Sequence, residues 1–182
     1  TVQNLEILQQ KDYGVSISGT GTSTNVIVDN CTIIGQEQYG IYAESTAVNY
    51  LTISNNTLSN CNSSGIYSRN IGNSLITDNV VTNTGLIDNI AANGTGVQGN
   101  GNAIMIMVGT NSGKNSILYN SIDSCNYNGI RFVGQADIYY NVIKNSLLHK
   151  GDGGAIYTEL ATGSVIAYNI INNDSAQRYS SV

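Results

Sequence analysis

The sequence predicts an all-β fold, a parallel β-helix of about six to seven coils, with residues 1–182 forming a single domain. Charged residues make up only 10% of the chain, and the Asn, Ser, Thr and Gly that replace them disfavour helices. Apolar residues alternate or occur in short runs, without a helical period. Two short phrases return about every 25 residues, which is typical of a solenoid of stacked coils.

The first repeated phrase is a hydrophobic residue, two or three further residues, an Asn, any residue and then Ile, Leu or Val, as in Ile53-Ser54-Asn55-Asn56-Thr57-Leu58. Because equal positions in successive coils stack about 4.8 Å apart, an Asn amide can bond both its own turn and the next Asn. We therefore predict a buried ladder of hydrogen-bonded amides, in which Cys31 takes the place of Asn in an early coil. The predicted ladder consists of Asn56, Asn79, Asn120, Asn141 and Asn169.

The second phrase is a Gly followed by Ile or Val and often by an aromatic residue, as in Gly40-Ile41-Tyr42. The apolar residue faces the core, so strand alternation places the next residue outside. One outward column is therefore Ser16, Tyr42, Tyr67, Met105, Arg131 and Tyr157, and a second is Ser18, Glu44, Arg69, Met107, Val133 and Glu159.

One coil is longer than the others, since 41 residues separate Asn79 from Asn120. The stretch between Thr84 and Asn102 is rich in Gly and Asn. It predicts a loop insertion within one coil, emerging beside the outward columns.

The three cysteines are an odd number without CxxC spacing, which argues against a disulfide framework and against a zinc site. We predict that Cys31, Cys61 and Cys125 are unpaired and buried. Cys61 and Cys125 share a column, but the coil between them holds them about 10 Å apart, beyond disulfide reach.

Charge and hydropathy exclude two classes of partner. The formal net charge of -5 argues against nucleic acid. The chain has no apolar run long enough to insert into a membrane. It begins Thr1-Val2 without an initiator Met and in the middle of the repeat, so we expect a fragment of a longer secreted protein, extracellular or at the cell surface. The sequence leaves the oligomeric state open.

The recurrent Asn resembles the Asn ladder of right-handed parallel β-helices of the pectin-lyase-like superfamily, and the resemblance implies a right-handed coil. That fold serves lyases, hydrolases, epimerases, phage tailspikes and adhesins, so it leaves the activity open. The segment Asp152-Gly153-Gly154-Ala155-Ile156-Tyr157-Thr158 is similar to one found in secreted bacterial β-helix proteins linked to polysaccharide breakdown. The resemblance implies a carbohydrate-active protein.

The stretch from His149 to Glu159 holds the only His and four ionisable side chains among eleven residues. A glycoside hydrolase needs two carboxylates about 5 to 9.5 Å apart, which Asp152 offers with either Glu159 or Asp123. A uronate lyase or epimerase instead needs a base and a group that neutralises the sugar carboxylate. The predicted catalytic residues are Asp152, Glu159 and Arg131, and the predicted substrate-binding residues are Tyr42, Tyr67, Arg69, Tyr157, Lys150 and His149.

Two functions follow from these residues. In the first, the domain cleaves or binds an extended polysaccharide or oligosaccharide, as a glycoside hydrolase, a polysaccharide lyase or a binding module. In the second, it is a structural or adhesive stalk, and Asp152 caps a Gly turn. We expect no metal and no other cofactor, because no ligand spacing is present.

Overall fold

The computed structural model describes residues 1–87, 101–107, 113–149 and 153–173, excluding the side chains of residues 45–47. These residues form a right-handed parallel β-solenoid without helices, as predicted. Its strands, numbered in chain order, lie in two seven-stranded sheets and one six-stranded sheet.

Each sheet takes one strand from each coil, and all strand pairs are parallel. Sheet 1 comprises β1 (Val2–Gln3), β4 (Ile27–Asp29), β7 (Thr52–Ser54), β10 (Leu75–Thr77), β13 (Asn115–Leu118), β16 (Ala136–Tyr139) and β19 (Val165–Ala167). Sheet 2 comprises β2 (Glu6–Leu8), β5 (Thr32–Ile34), β8 (Thr57–Ser59), β11 (Val80–Thr84), β14 (Ser121–Cys125), β17 (Val142–Lys144) and β20 (Ile170–Asn172). Sheet 3 comprises β3 (Tyr13–Thr24), β6 (Tyr39–Asn49), β9 (Ser64–Gly72), β12 (Ile104–Met107), β15 (Ile130–Val133) and β18 (Ile156–Glu159).

The core includes one aliphatic column from each sheet, which points to the centre of the coils. Burying one such side chain contributes about 1.5 to 3 kcal/mol. The fully buried members include Ile53, Ile76, Ile117 and Ile138 from sheet 1, Leu58, Val81, Ile122 and Ile143 from sheet 2, and Ile41, Ile66, Ile104 and Ile130 from sheet 3.

The Asn ladder is confirmed at the turn between sheets 1 and 2. Asn120 Oδ1 accepts hydrogen bonds from the backbone N–H of Asn79 at 3.1 Å and from its Nδ2 at 2.9 Å. Asn120 Nδ2 donates to Asn141 Oδ1 at 2.9 Å and to the Ile76 carbonyl at 3.1 Å. Cys31 occupies the predicted place, since its N–H donates to Asn56 Oδ1. The ladder thus satisfies backbone groups that the buried turn leaves unpaired.

The residue before each ladder position turns the chain and has a left-handed backbone, with φ between 51° and 59°. Asn and Asp tolerate this region, whereas other side chains there cost about 1 to 3 kcal/mol. The column follows that preference only in its first four coils: it consists of Asn4, Asn30, Asn55, Asp78, Tyr119, Tyr140 and Tyr168.

The Gly of the second phrase is explained by close approach of the coils. A Cβ on Gly40 would lie 2.6 Å from the carbonyl oxygen of Gly65 in the next coil and 2.6 Å from Leu58 Cδ2. The backbones therefore meet at a distance that leaves no room for a side chain at Gly40.

The described ends of the predicted insertion belong to the coil. Thr84 is buried at the end of β11, and the N–H of Gly85 donates to the Cys61 carbonyl at 2.8 Å. At the other end, Gly101 and Asn102 are buried, and the N–H of Gly101 donates to Ser63. Residues 88–100, which hold the rest of the predicted loop, lie outside the described residues.

All three cysteines are free and buried, as predicted. Thr84 pairs with Cys125 in the sheet, and Cys61 lies one coil before Thr84, so a full coil separates the two thiols. Burial raises the pKa of both the Cys61 and the Cys125 thiol to about 12, because the apolar core disfavours the thiolate.

We expect the native protein to resist alkylation by iodoacetamide at pH 8.5, because only the thiolate is nucleophilic and Cys61 and Cys125 remain protonated at that pH. Mass spectrometry should show neither residue modified before denaturation and both modified after it in guanidinium chloride. Rapid labelling of either residue in the folded protein would contradict their placement in the core.

Candidate functional site

The outward face of sheet 3 carries the columns predicted from the repeat. Tyr42 pairs with Tyr67, Tyr67 with Met105, Met105 with Arg131, and Arg131 with Tyr157. Two positions further along the strands, Glu44 pairs with Arg69 and Val133 with Glu159. We call these two outward columns the sheet 3 face.

Arg131 and Glu159 form an ion pair between neighbouring coils at the end of this face. Arg131 Nη2 lies 2.6 Å from Glu159 Oε1, and the guanidinium carbon lies 5.7 Å from the centre of the Tyr157 ring. The Arg131 side chain is 14% exposed, and its Nε is buried without a hydrogen-bond partner in the described part of the chain. The Glu159 side chain is 39% exposed, so the pair presents a carboxylate to solvent beside a fixed guanidinium.

A second polar group lies toward the other end of the face. Glu44 accepts a hydrogen bond from the Tyr42 hydroxyl at 2.6 Å and pairs with Arg69 at 3.3 Å. Glu44 was in the predicted outward column but not among the predicted site residues. The signal that could have identified Glu44 as a site residue was its position directly beside Arg69 in the register.

The tyrosines at this end stack on one another. The Tyr13 and Tyr42 ring centres lie 4.5 Å apart at 11°, and those of Tyr42 and Tyr67 lie 5.4 Å apart at 6°. Burial raises the pKa of Tyr39 to about 12. The pKa of Tyr42 is also raised, mainly by burial and secondly by its hydrogen bond to Glu44. Both phenols are therefore neutral at physiological pH, and Tyr42 turns its ring faces to its neighbours rather than to solvent.

One apolar strand, β12, separates the two ion pairs on this face. Met105 is only 2% exposed, and Met107 lies beside Arg69 on one side and Val133 on the other. Since Arg69 and Arg131 lie two strands apart, their backbones are about 10 Å from each other. One apolar step thus interrupts the polar and aromatic steps of the face along the solenoid axis.

The Gly-rich segment is described only in part. Lys150, Gly151 and Asp152 lie outside the described residues. His149 is half-buried in the turn after β17, and its N–H donates to the Asn126 carbonyl at 3.2 Å. Of the predicted cluster, the structure therefore describes Arg131, Tyr157 and Glu159. It places His149 in the turn between β17 and β18.

Gly153 and Gly154 contact a second amide ladder, which was not predicted from the sequence. Asn128 Nδ2 donates to Asn102 Oδ1 at 2.7 Å, and the N–H of Gly154 donates to Asn128 Oδ1 at 2.8 Å. A Cβ on Gly153 would collide with the Asn128 amide and lie 2.6 Å from the Tyr127 ring. The signal in the sequence was an Asn directly before Ala103 and another directly before Gly129, the residues at which two copies of the second repeated phrase begin.

The carboxylate spacing limits the chemistry of the face. Glu44 on β6 and Glu159 on β18 are four strands apart, about 19 Å, which exceeds the 5 to 9.5 Å of glycoside hydrolases. Asp123 lies on β14 in sheet 2, and its Oδ1 accepts a hydrogen bond from Asn145 Nδ2 at 2.9 Å. Neither Glu44 nor Asp123 therefore shares the sheet 3 face with Glu159 at a suitable distance, and Asp152 is the predicted partner that remains.

The described ranges hold neither a metal-binding cluster nor a membrane-spanning helix. No three His, Cys, Asp or Glu side chains come together there in a set that would hold a metal ion. Nor does any helix there have the length and hydropathy to cross a membrane.

Two solved structures share this fold. They are the enzymatically active domain of tailspike protein 2 of bacteriophage CBA120 and the full-length tailspike protein 2 from Escherichia coli O157:H7 bacteriophage CAB120. Both are 16% identical to the chain over 93% of its length, with TM-scores of 0.62 and 0.63. The chain spans 23% and 19% of their respective lengths, and at this identity the likeness shows the fold alone.

Sequence comparisons identify the family of the chain but no individual curated relative. No curated protein matches the chain. The family model described as "Right handed beta helix region" matches residues 1–177, which is nearly the whole sequence. With its parallel coils and its Asn ladder, the chain therefore belongs to the family of right-handed β-helix regions.

Proposed function

We propose that the domain binds an extended glycan across the sheet 3 face and cleaves it beside Arg131 and Glu159. The observation that carries the proposal is Arg131, whose side chain is 14% exposed and whose Nε is buried without a partner in the described part of the chain. An arginine fixed in this way, next to a half-exposed carboxylate and the Tyr157 ring, suits recognition of sugar hydroxyls or a sugar carboxylate.

The remaining predicted residues take roles along the glycan. Glu159 and Asp152 act as the acid and base, either across a glycosidic bond in a hydrolase or in proton abstraction in a lyase. Arg131 orients the sugar at the cleaved bond. The glycan is contacted on either side by Tyr42, Tyr67, Arg69, Tyr157, Lys150 and His149. As part of the same proposal, the protein acts outside the cell or at its surface.

A stalk is the second candidate function, and the ion pairs favour it. Arg69 and Arg131 are each paired with a glutamate of an adjacent coil, at 3.3 Å and 2.6 Å. These contacts hold the coils together without any ligand, as a rigid spacer requires.

The test compares Arg131→Met with Lys114→Met on a panel of neutral and uronate-containing polysaccharides. Lys114, directly before β13, pairs with Asp137 of sheet 1 at 2.7 Å, so it controls for loss of an ion pair away from the sheet 3 face. New reducing ends report cleavage by either reaction, and the ultraviolet absorbance of an unsaturated sugar distinguishes elimination from hydrolysis. We expect Arg131→Met to lose at least about 90% of the activity, since charge-assisted bonds to a bound sugar contribute about 1.5 to 3 kcal/mol, and Lys114→Met to keep it.

Thermal melts of both variants separate function from folding. Arg131→Met should melt within a few degrees of the wild type, because Glu159 remains solvated after the change. A wild-type domain that neither binds nor cuts any member of the panel would favour the stalk.

A further inference from the structure

A second surface, on the turn between sheets 1 and 2, carries three exposed tyrosines in successive coils. Tyr119, Tyr140 and Tyr168 are 54%, 46% and 72% exposed. Their ring centres lie 5.1 Å and 5.3 Å apart, with interplanar angles of 7° and 9°. We call these three residues the tyrosine ladder; it lies on a different side of the solenoid from the sheet 3 face.

The backbone of the tyrosine ladder is unfavourable for tyrosine. The three residues have φ of 55°, 59° and 59°, in the left-handed region where Asn and Asp are the favoured side chains. Earlier coils of the same column use Asn30, Asn55 and Asp78. Turn geometry alone would favour Asn throughout, so in these three coils the backbone preference is given up for a continuous stack of exposed rings.

We propose that the tyrosine ladder binds a neutral, extended oligosaccharide running parallel to the solenoid axis, one sugar per tyrosine. The sugar repeat of an extended β-linked pyranose chain is close to the spacing of stacked strands and hence to the ring separations here. The phenolic hydroxyls form a row without hydrogen-bond partners within the described ranges, so they are available to sugar hydroxyls. The ring edges supply apolar contact to the sugar C–H groups.

Charge and ring packing disfavour nucleic acid. On the strands that flank the ladder, Asp123 and Lys144 are register neighbours on sheet 2, and Asp137 pairs with Lys114 on sheet 1. Acidic and basic groups are thus balanced, which suits a neutral ligand. Tyr140 also has both ring faces covered by its ladder neighbours, so it has no face on which a nucleobase can stack.

Size and spacing disfavour protein partners. The three rings together expose roughly 300 to 400 Å², given the area of a tyrosine, whereas a stable dimer buries about 800 Å² on each partner. An extended peptide repeats on one face about every 6.7 Å, which does not match the ladder. A slender chain with a shorter repeat fits better than either.

The test is a triple variant, Tyr119→Asn, Tyr140→Asn and Tyr168→Asn, compared with the wild type by calorimetric titration with cellohexaose, chitohexaose and mannohexaose. The wild type should bind at least one of these probes, and the triple variant should bind it at least tenfold more weakly. Its melting temperature should change by no more than a few degrees, because the gain from Asn at the left-handed turn offsets the ring stacking that is lost.

Tyr50→Asn is the matched control. Tyr50 has φ of 56° and is 56% exposed, but it lies on another turn, so this variant should keep wild-type affinity. The proposal is overturned if the wild type binds none of the three probes, or if the triple variant melts several degrees lower. It is equally overturned if sedimentation shows a wild-type dimer that the triple variant abolishes.

Discussion

Replacing Asp152 by Asn is expected to abolish glycan cleavage while leaving binding and stability nearly unchanged. On the proposed mechanism, Asp152 exchanges a proton with the substrate opposite Glu159, and an amide of the same shape cannot do so. Loss of a general acid or base lowers the rate by about 10² to 10⁴-fold. The measurement is the rate of product formation on the polysaccharide that the wild type cuts best, with affinity measured separately.

Two further carboxylate variants make this result specific. Glu159→Gln should lower the rate by a similar factor, because Glu159 is the half-exposed carboxylate beside Arg131. Asp123→Asn should not lower it, because Asp123 lies on sheet 2. If Asp152→Asn instead melts several degrees lower and no glycan is bound or cut, Asp152 caps a Gly turn and the domain is a stalk.

Replacing Asn120 by Leu is expected to cost about 3 to 5 kcal/mol of stability. Leu has nearly the same shape, but it leaves the N–H of Asn79 and the carbonyl of Ile76 without their partners inside the core. Each unsatisfied buried group costs about 1 to 3 kcal/mol. In a domain of this size the melting temperature should fall by about 10 °C.

The control is Asn172→Leu, because Asn172 is an exposed strand residue that faces outward on sheet 2. It should change the melting temperature by no more than about 2 °C, as surface substitutions usually do. Equal melting temperatures for Asn120→Leu and the wild type would contradict the stabilising role of the amide ladder.

Features that recur in every coil were predictable from the sequence. The environment of Asn120 is repeated at Asn79 and Asn141, so one physical requirement recurs at a fixed interval and becomes visible as a repeat. The same logic predicted the outward columns of sheet 3 and the unpaired state of Cys61 and Cys125. Coil length sets the register, and register alone decides which side chains share a column.

Features that depend on contacts between particular coils were decided only by the tertiary structure. Glu159 lies on the strand next to Arg131 and in the other outward column, yet its side chain pairs with Arg131. Glu44 accepts hydrogen bonds from both Tyr42 and Arg69. Such contacts depend on side-chain rotamers and on partners about 25 residues away. The exposure of the tyrosine ladder likewise depends on the left-handed turn that directs these rings outward. The sequence by itself determined which residues stack in each column, and the packing of neighbouring coils decided which of them pair, which are covered and which remain available to a ligand.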